Sequence, residues 1–309
     1  MSKTYNFNYI ITIHNKENLI KDVISSVLQV CGNNSKIYPV LDGCTDRSEQ
    51  IIDEIILTTK VPIIKLYAPN VHEIKSINIG LKGSNQDGHG FNILLQDDVL
   101  LKEKHFENNI INIYESLGYD QIGVLALRHG VNVRLNPTLE EIEETDLIES
   151  YFGHGFQKNM LIPGMVVKRM IGVRSPECLS FDIVKKIGYM DETLAPYTYD
   201  NHDYSLRCLE MGFNNYVYSV NFDSDVKWGG MRKNPHPEVD SVMSRNRKYL
   251  YTKHFTLINK LSTLVDFKLE NLTPFSIPGI PNIKVRRKLN IRFKVHSYIL
   301  KIRKYLKKG

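Results

Sequence analysis

Short apolar runs alternate along this chain with segments whose apolar residues recur every three or four positions. Tyr9 to Ile13 is apolar and rich in β-branched residues, a polar HNKEN follows, and Leu19, Val23, Val27 and Val30 then mark one helical face. Continuous apolar runs of this length predict strands, and the three-to-four spacing predicts a helix. The same reading predicts strands at Ile37 to Leu41, Ile63 to Tyr67, Phe91 to Leu95 and Ile122 to Leu127. Helices are predicted between them near Ser48 to Leu57, Ile74 to Leu81 and Lys104 to Leu117. This alternation predicts an α/β fold, a mostly parallel central sheet flanked by helices. Pro39 is out of place in a central strand, because it has no N–H to give to a ladder.

Beyond about residue 128 the alternation weakens. An acidic stretch at Glu140 to Glu149, the glycine-punctuated FGHGF and the apolar PGMVVKRMIGV predict irregular structure suited to a substrate-binding half. A helix at Phe181 to Ile187, a helix opened by YDNHDYSLR (199–207) and a strand from Tyr216 to Phe222 complete the body.

Composition changes this picture in one place. With 309 residues, 42% hydrophobic and 24% charged, the chain is long enough for one large α/β domain or two smaller ones. Its net charge of +6 is unevenly spread: everything after Glu270 lacks Asp and Glu yet carries seven Lys and four Arg, which leaves the preceding body mildly acidic. Within that tail Val295, Tyr298, Ile299, Ile302 and Leu306 share one helical face, with Lys294, Lys301, Lys304, Lys307 and Lys308 elsewhere. Such a basic amphipathic helix suits an anionic membrane surface, or packs on the body with its basic face in solvent. Cys31, Cys44, Cys178 and Cys208 show no metal-site spacing, and no apolar run reaches about 18 residues. The expected setting is therefore cytoplasmic, with peripheral contact at the inner face of a membrane. An acidic body without base-stacking motifs speaks against nucleic acid as a partner.

Three acidic motifs carry the candidate chemistry. In LDGCTD, Asp42 ends a strand and Gly43 permits a tight turn, so a carboxylate stands at the sheet's carboxyl edge, either to accept from a nucleoside or, with Asp46, to shape the turn and cap the next helix. In LLQDDV, Asp97 and Asp98 end a buried strand, where a divalent ion or donors would offset two negative charges, unless the loop is simply solvated. In YDNHDYSLR, Asp200 and Asp203 flank a helix start and Arg207 stands one turn after Asp203, as a base site or as a capping and ion-pair arrangement.

Taken in order, these segments resemble a family 2 glycosyltransferase of the GT-A fold. YIITIHNKENLIKDVISSVL resembles that family's opening strand, loop and helix. LDGCTDRS resembles its nucleotide motif, IKSINIGL its Asn-x-Gly helix and LLQDDV its DXD site. IGYMDETLAPYTYDNHDYSLRCLEMGF is similar to its acceptor segment and SRNRKYLYTKH to its closing helix.

The resemblance implies a GT-A domain over residues 1–255, with a nucleotide-sugar half at 1–128, an acceptor half at 129–255 and a C-terminal extension at 256–309. It implies transfer of a sugar from a nucleoside-diphosphate sugar, by family frequency a UDP-sugar, to a hydroxyl of a glycan or lipid-linked acceptor, with inversion and help from Mn²⁺ or Mg²⁺. His14, Asn15, Asp42, Lys75 and Asp97 would line the nucleotide-sugar, with Lys75 or Arg232 facing the diphosphate; Asp98 would hold the metal, and Asp200 or Asp203 would act as base. Trp228 would stack on a sugar ring or serve as an ordinary half-buried aromatic. The chain departs from the family pattern in three places. Gln96 opens the DXD triplet, Asn201 occupies the usual catalytic Asp position, and Trp228 stands where a late metal-binding His is frequent, with His236 a short way beyond. A non-catalytic GT-A-like scaffold is the alternative. A sugar-phosphate nucleotidyltransferase would need a glycine-rich basic loop where HNKEN stands.

Overall fold

A computed structural model describes residues 4–151, 159–224, 228, 238–263, 267 and 272–281. FGHGF, Arg232, His236 and the basic helix expected in the tail lie outside the described residues.

The first part alternates β1 (Asn6–Ile13), α1 (Ile20–Leu28), β2 (Ser35–Asp42), α2 (Ser48–Ile56), β3 (Leu66–Ala68), α3 (His72–Gly83) and β4 (Gly90–Gln96). It continues through β5 (Leu100–Leu101), α4 (Phe106–Leu117) and β6 (Ile122–Ala126). Then come β7 (His129–Asn136), β8 (Glu141–Ser150), β9 (Met160–Leu161), β10 (Met165–Lys168), β11 (Ile171–Val173) and β12 (Glu177–Ser180). The remainder holds α5 (Phe181–Ile187), α6 (Asp200–Glu210), β13 (Asn214–Tyr218), β14 (Phe222–Asp223), α7 (Val239–Leu261) and β15 (Phe275–Ser276).

Nine strands form the main sheet in the order β15-β10-β13-β6-β12-β4-β1-β2-β3. The β4-β1-β2-β3 run is parallel, as the helical crossovers require. Between β4 and β6 the late strand β12 inserts antiparallel to both, so the complete sheet is mixed. The insertion matters for the site, because an antiparallel strand starts where its neighbours end. It delivers Arg174, Ser175 and Glu177 to the carboxyl edge of β4, where the Ser175 hydroxyl accepts from the Gln96 N–H at 2.9 Å.

Pro39 is accommodated by local pairing. The Ile37 N–H and C=O both bond toward the β3 side, to Pro62 and Ile64, and the strand's two-residue period turns Pro39 to that same side. There it falls between the Ile37–Ile63 bridge and the ladder that begins at Val40–Leu66.

Apolar side chains fill both faces of the sheet. On one, α1 buries Ile20, Val23, Ile24 and Val27 against Ile11, Leu41 and Leu95. Each is worth about 1.5–3 kcal/mol relative to exposure. On the other, α3 and α6 pack Ile74, Ile77, Leu81, Tyr204 and Leu206 with Ile10, Val40 and Leu94.

The acidic stretch is a correction to the sequence reading. Rather than irregular structure, Glu141–Ser150 forms β8 of a second, four-stranded sheet ordered β11-β7-β8-β9. Its acids are tolerated because they meet donors from other elements: Arg134 with Glu143 at 2.8 Å, Arg247 with Glu141 at 2.7 Å, and the His202 ring with Glu144 at 3.0 Å. These partners hid the strand from a reading by periodicity.

Candidate active site

Three neighbouring parallel strands end together. Thr12 pairs with Gln96 and Ile13 with Leu41, so the loops after β1, β2 and β4 emerge at one edge of the sheet. In a sheet of this kind ligands bind outside the carboxyl ends of the strands. His14 donates its backbone N–H to Asp97 Oδ2 at 3.0 Å and places ring Nδ1 2.6 Å from the Asp42 carbonyl. Asn15, at φ +50°, accepts from the Thr45 N–H at 2.8 Å and so ties the first loop to the second. Asn tolerates this left-handed conformation better than most residues.

Asp42 is buried, and its Oδ1 accepts from the Val71 N–H at 2.7 Å, which fixes the loop before α3. Gly43 next to it has φ +59°, and a Cβ there would stand 2.6 Å from Asn70 Cβ, so turn geometry and close packing both demand glycine. The bond from Val71 ties the Asp42 carboxylate to the loop before α3, while Asp46 accepts from the Ser48 N–H at the start of α2 at 3.0 Å.

Asp97 and Asp98 follow β4. Burial, set against Lys16 and the His14 N–H and reinforced by Asp98, pushes the Asp97 carboxyl up to about 6. Lys16 Nζ lies 3.2 Å from Asp97 Oδ1 and donates to the Trp228 carbonyl at 2.7 Å, joining the half-buried Trp228 to the strand-end cluster through its backbone. Among the described residues no group of three His, Cys, Asp or Glu could hold a metal ion. Two adjacent hard carboxylates do fit a divalent ion that takes its other ligands from a diphosphate and water.

Beside this cluster lies a cavity of about 240 Å³, lined in part by Glu73, Gln96, Glu144, Arg174, Asp200 and His202. Thr198 and Tyr199, at φ +72° and +65°, lead into α6 and also line it, a costly backbone for two non-glycine residues in succession. Arg174 is buried in its wall. It donates to Asp200 and, at 2.9 Å, to Asn201 Oδ1, and its Nε lies 3.4 Å from Glu73 Oε1. Asn201 in turn donates to Glu177, and Gln96 to Glu73. Burial pushes the Glu177 carboxyl up to about 8, with Arg174 opposing and Asp200 adding, so it is held neutral near pH 7.

Asp203 is placed differently from Asp200. It is fully buried outside the cavity lining and accepts from Arg207 Nε at 2.7 Å and His254 Nε2 at 2.9 Å, with Lys253 Nζ at 2.7 Å. Burial alone would raise its pKa, but His254, Arg207 and Lys253 outweigh it and lower the value. Lys75 is exposed on α3 and does not line the cavity; Glu73, two residues earlier, does.

Sequence reasoning had not singled out Lys16, Glu73, Glu144, Arg174, Glu177 or His202. Arg174 and Glu177 are both buried through the placement of β12, which no local pattern announces. A larger cavity of about 560 Å³ lies at the start of α4, lined by Lys102, Lys104, His105, Asn108 and others, and shares no residue with either cluster.

Residues 9–175 match the family model described as Glycosyl transferase family 2. Among curated proteins none matches the chain significantly. Among solved structures, GalNAc-T7 with UDP, GalNAc and Mn²⁺ aligns with a TM-score of 0.57 at 12% identity, over 85% of this chain and 52% of that one. S. aureus TarS aligns at 0.50 and 14% identity, over 86% of this chain and 46% of that one. TarS 1-349 with UDP-GlcNAc aligns at 0.50 and 15%, over 86% and 77%. The chain thus spans about half the length of TarS and GalNAc-T7. Likeness at this identity shows the fold, a GT-A-type α/β arrangement.

Proposed function

Because the chain belongs to glycosyl transferase family 2, we propose that it transfers a sugar from a UDP-sugar to a hydroxyl of a glycan or lipid-linked acceptor, with inversion. The observation that carries this reading is the convergence of Asp42, Asp97 and Asp98 on one sheet edge beside a polar cavity at the start of α6. Residues 1–128 then supply the donor half and 129–255 the acceptor half.

His14, Asn15, Asp42 and Asp97 border the nucleotide. Asp98, with Asp97 partly neutralised by Lys16, would hold Mn²⁺ or Mg²⁺, which supplies Lewis-acid stabilisation of the leaving diphosphate when bound. A GalNAc-T7 structure holding UDP and Mn²⁺ supports such a pairing in this fold. Lys75 and Arg232 are proposed cations for the diphosphate, and Trp228 a stacking surface for a sugar. Arg174 fixes the Asp200 carboxylate and the Asn201 amide, so this wall is set before substrate arrives. Of the two expected bases, Asp200 lines the cavity and Asp203 is enclosed elsewhere. No described helix is long and apolar enough to cross a membrane. Contact with an anionic membrane through the basic residues after 282 is part of this proposal and rests on their sequence pattern.

Asn201 in the place of the family's catalytic carboxylate favours a second reading, a GT-A domain that binds without turning over. Calorimetry and hydrolysis with a panel of nucleotide-sugars, each with Mn²⁺, Mg²⁺ or chelator, separates the two. Metal-dependent binding with slow hydrolysis supports the transferase, and absence of binding to every donor by folded protein overturns it.

A further inference from the structure

His202 is the least explained buried polar side chain of the cavity. It is 5% exposed, its ring stands 4.7 Å from that of Tyr199, and its Nε2 lies 3.0 Å from Glu144 Oε1. Its Nδ1 is shielded from bulk water and has no hydrogen-bond partner. A buried polar atom left unsatisfied calls for a reason, and a missing ligand is one.

The tautomer follows from the partner. The hydrogen bond from His202 is the largest influence on Glu144 and lowers its pKa, so Glu144 is a carboxylate at neutral pH and accepts only. The shared proton therefore belongs to Nε2, and in the neutral ring Nδ1 carries a lone pair. The alternatives nearby are weaker. Asn201 has no basic atom, Asp200 is engaged by buried Arg174, and Asp203 lies outside the cavity lining.

We propose that His202, oriented by Glu144, is the base that takes the proton from the attacking hydroxyl, replacing the carboxylate lost at position 201. This rests on the transferase reading of the same site. The acceptor O–H bond breaks and its proton passes to Nδ1, while the oxygen forms a bond to the anomeric carbon. The electron pair of the bond to the diphosphate leaves with the nucleotide. Glu144 stays ionised and pairs with the imidazolium, the role an orienting carboxylate plays behind a histidine base. The charged groups lining the cavity with His202 are Glu144, Asp200, Glu73 and Arg174, while Arg247 and His129 act on Glu144.

The test compares wild type with His202→Gln, Glu144→Gln and Asp200→Asn. The probe is whichever of UDP-glucose, UDP-galactose, UDP-GlcNAc and UDP-GalNAc the wild type binds with MnCl₂, and the readouts are binding, UDP release against pH and ¹⁵N-histidine spectra. His202→Gln is expected to lower UDP release by roughly 100-fold or more while donor affinity stays within about twofold. It should also abolish the acid limb of the pH profile, which Asp200→Asn should keep. The spectra should show one histidine, absent from His202→Gln, with its proton on Nε2 at neutral pH and redistributed in Glu144→Gln. A proton on Nδ1 instead, or an acid limb retained in His202→Gln and lost in Asp200→Asn, overturns the proposal. Failure of the wild type to bind any of the four sugars overturns the transferase reading and this assignment with it. Donor binding with an unaltered His202→Gln overturns the assignment alone.

Discussion

Replacing Asp203 with Asn separates a structural carboxylate from a catalytic one. Asp203 is fully buried and receives Arg207 at 2.7 Å, His254 at 2.9 Å and Lys253 at 2.7 Å. These contacts tie α6 to α7, so the substitution leaves three donors facing one neutral amide. Removing one partner of a buried ion pair costs about 3–5 kcal/mol. Here the Arg207 and Lys253 side chains keep 21% and 30% of their surface in solvent and recover some hydration, whereas His254 keeps 3%. The loss should therefore fall near the lower end, about 3 kcal/mol. For a chain of 309 residues that is a fall in Tm of roughly 4–6 °C.

The pH dependence has a definite sign. The folded pKa of Asp203 lies below its unfolded value of about 3.9, so its contribution is complete above that pH and is lost as pH falls through the folded value. Scanning fluorimetry across pH should show a wide gap between wild type and Asp203→Asn at pH 7 that closes below about pH 4. An unchanged Tm at pH 7 accompanied by loss of sugar transfer would refute the reasoning, since it would make Asp203 a chemical group.

Glu177→Gln tests the neutral carboxyl beneath Asn201. The folded state holds this proton up to about pH 8 while the unfolded chain releases it near its ordinary value of about 4.3, so wild-type stability should decline as pH rises between them. The variant should gain in Tm over wild type at pH 8 relative to pH 5, and a pH-independent difference would exclude a protonated Glu177. Asp98→Ala should abolish metal-dependent donor binding in calorimetry, and equal affinity with and without metal would remove Asp98 from the site. Deleting residues 284–309 should release the protein from anionic vesicles without changing its melting transition; equal binding by the truncated form would refute the membrane role of the tail.

By itself the sequence determined the alternating first part of the fold. Apolar runs and three-to-four spacing located β1, β2, β4 and β6 and helices α1 to α4 because each element buries its own stripe, a property written in adjacent residues. Acids at the ends of those runs followed from the same local code, as did the turn at Gly43. Tertiary structure decided the rest. Glu141–Ser150 became a strand because Arg134, Arg247 and His202 pair its acids. Asp200 and Asp203, three residues apart on α6, parted because one meets Arg174 in the cavity and the other meets His254 behind it. Arg174 meets Glu73 across 101 residues, and His202 meets Glu144 across 58. Periodicity reports whether a side chain is buried; which charge waits for it there is set by the antiparallel insertion of β12 and by the packing of α6 on β11 that brings His202 to Glu144, and neither leaves a local mark in the sequence.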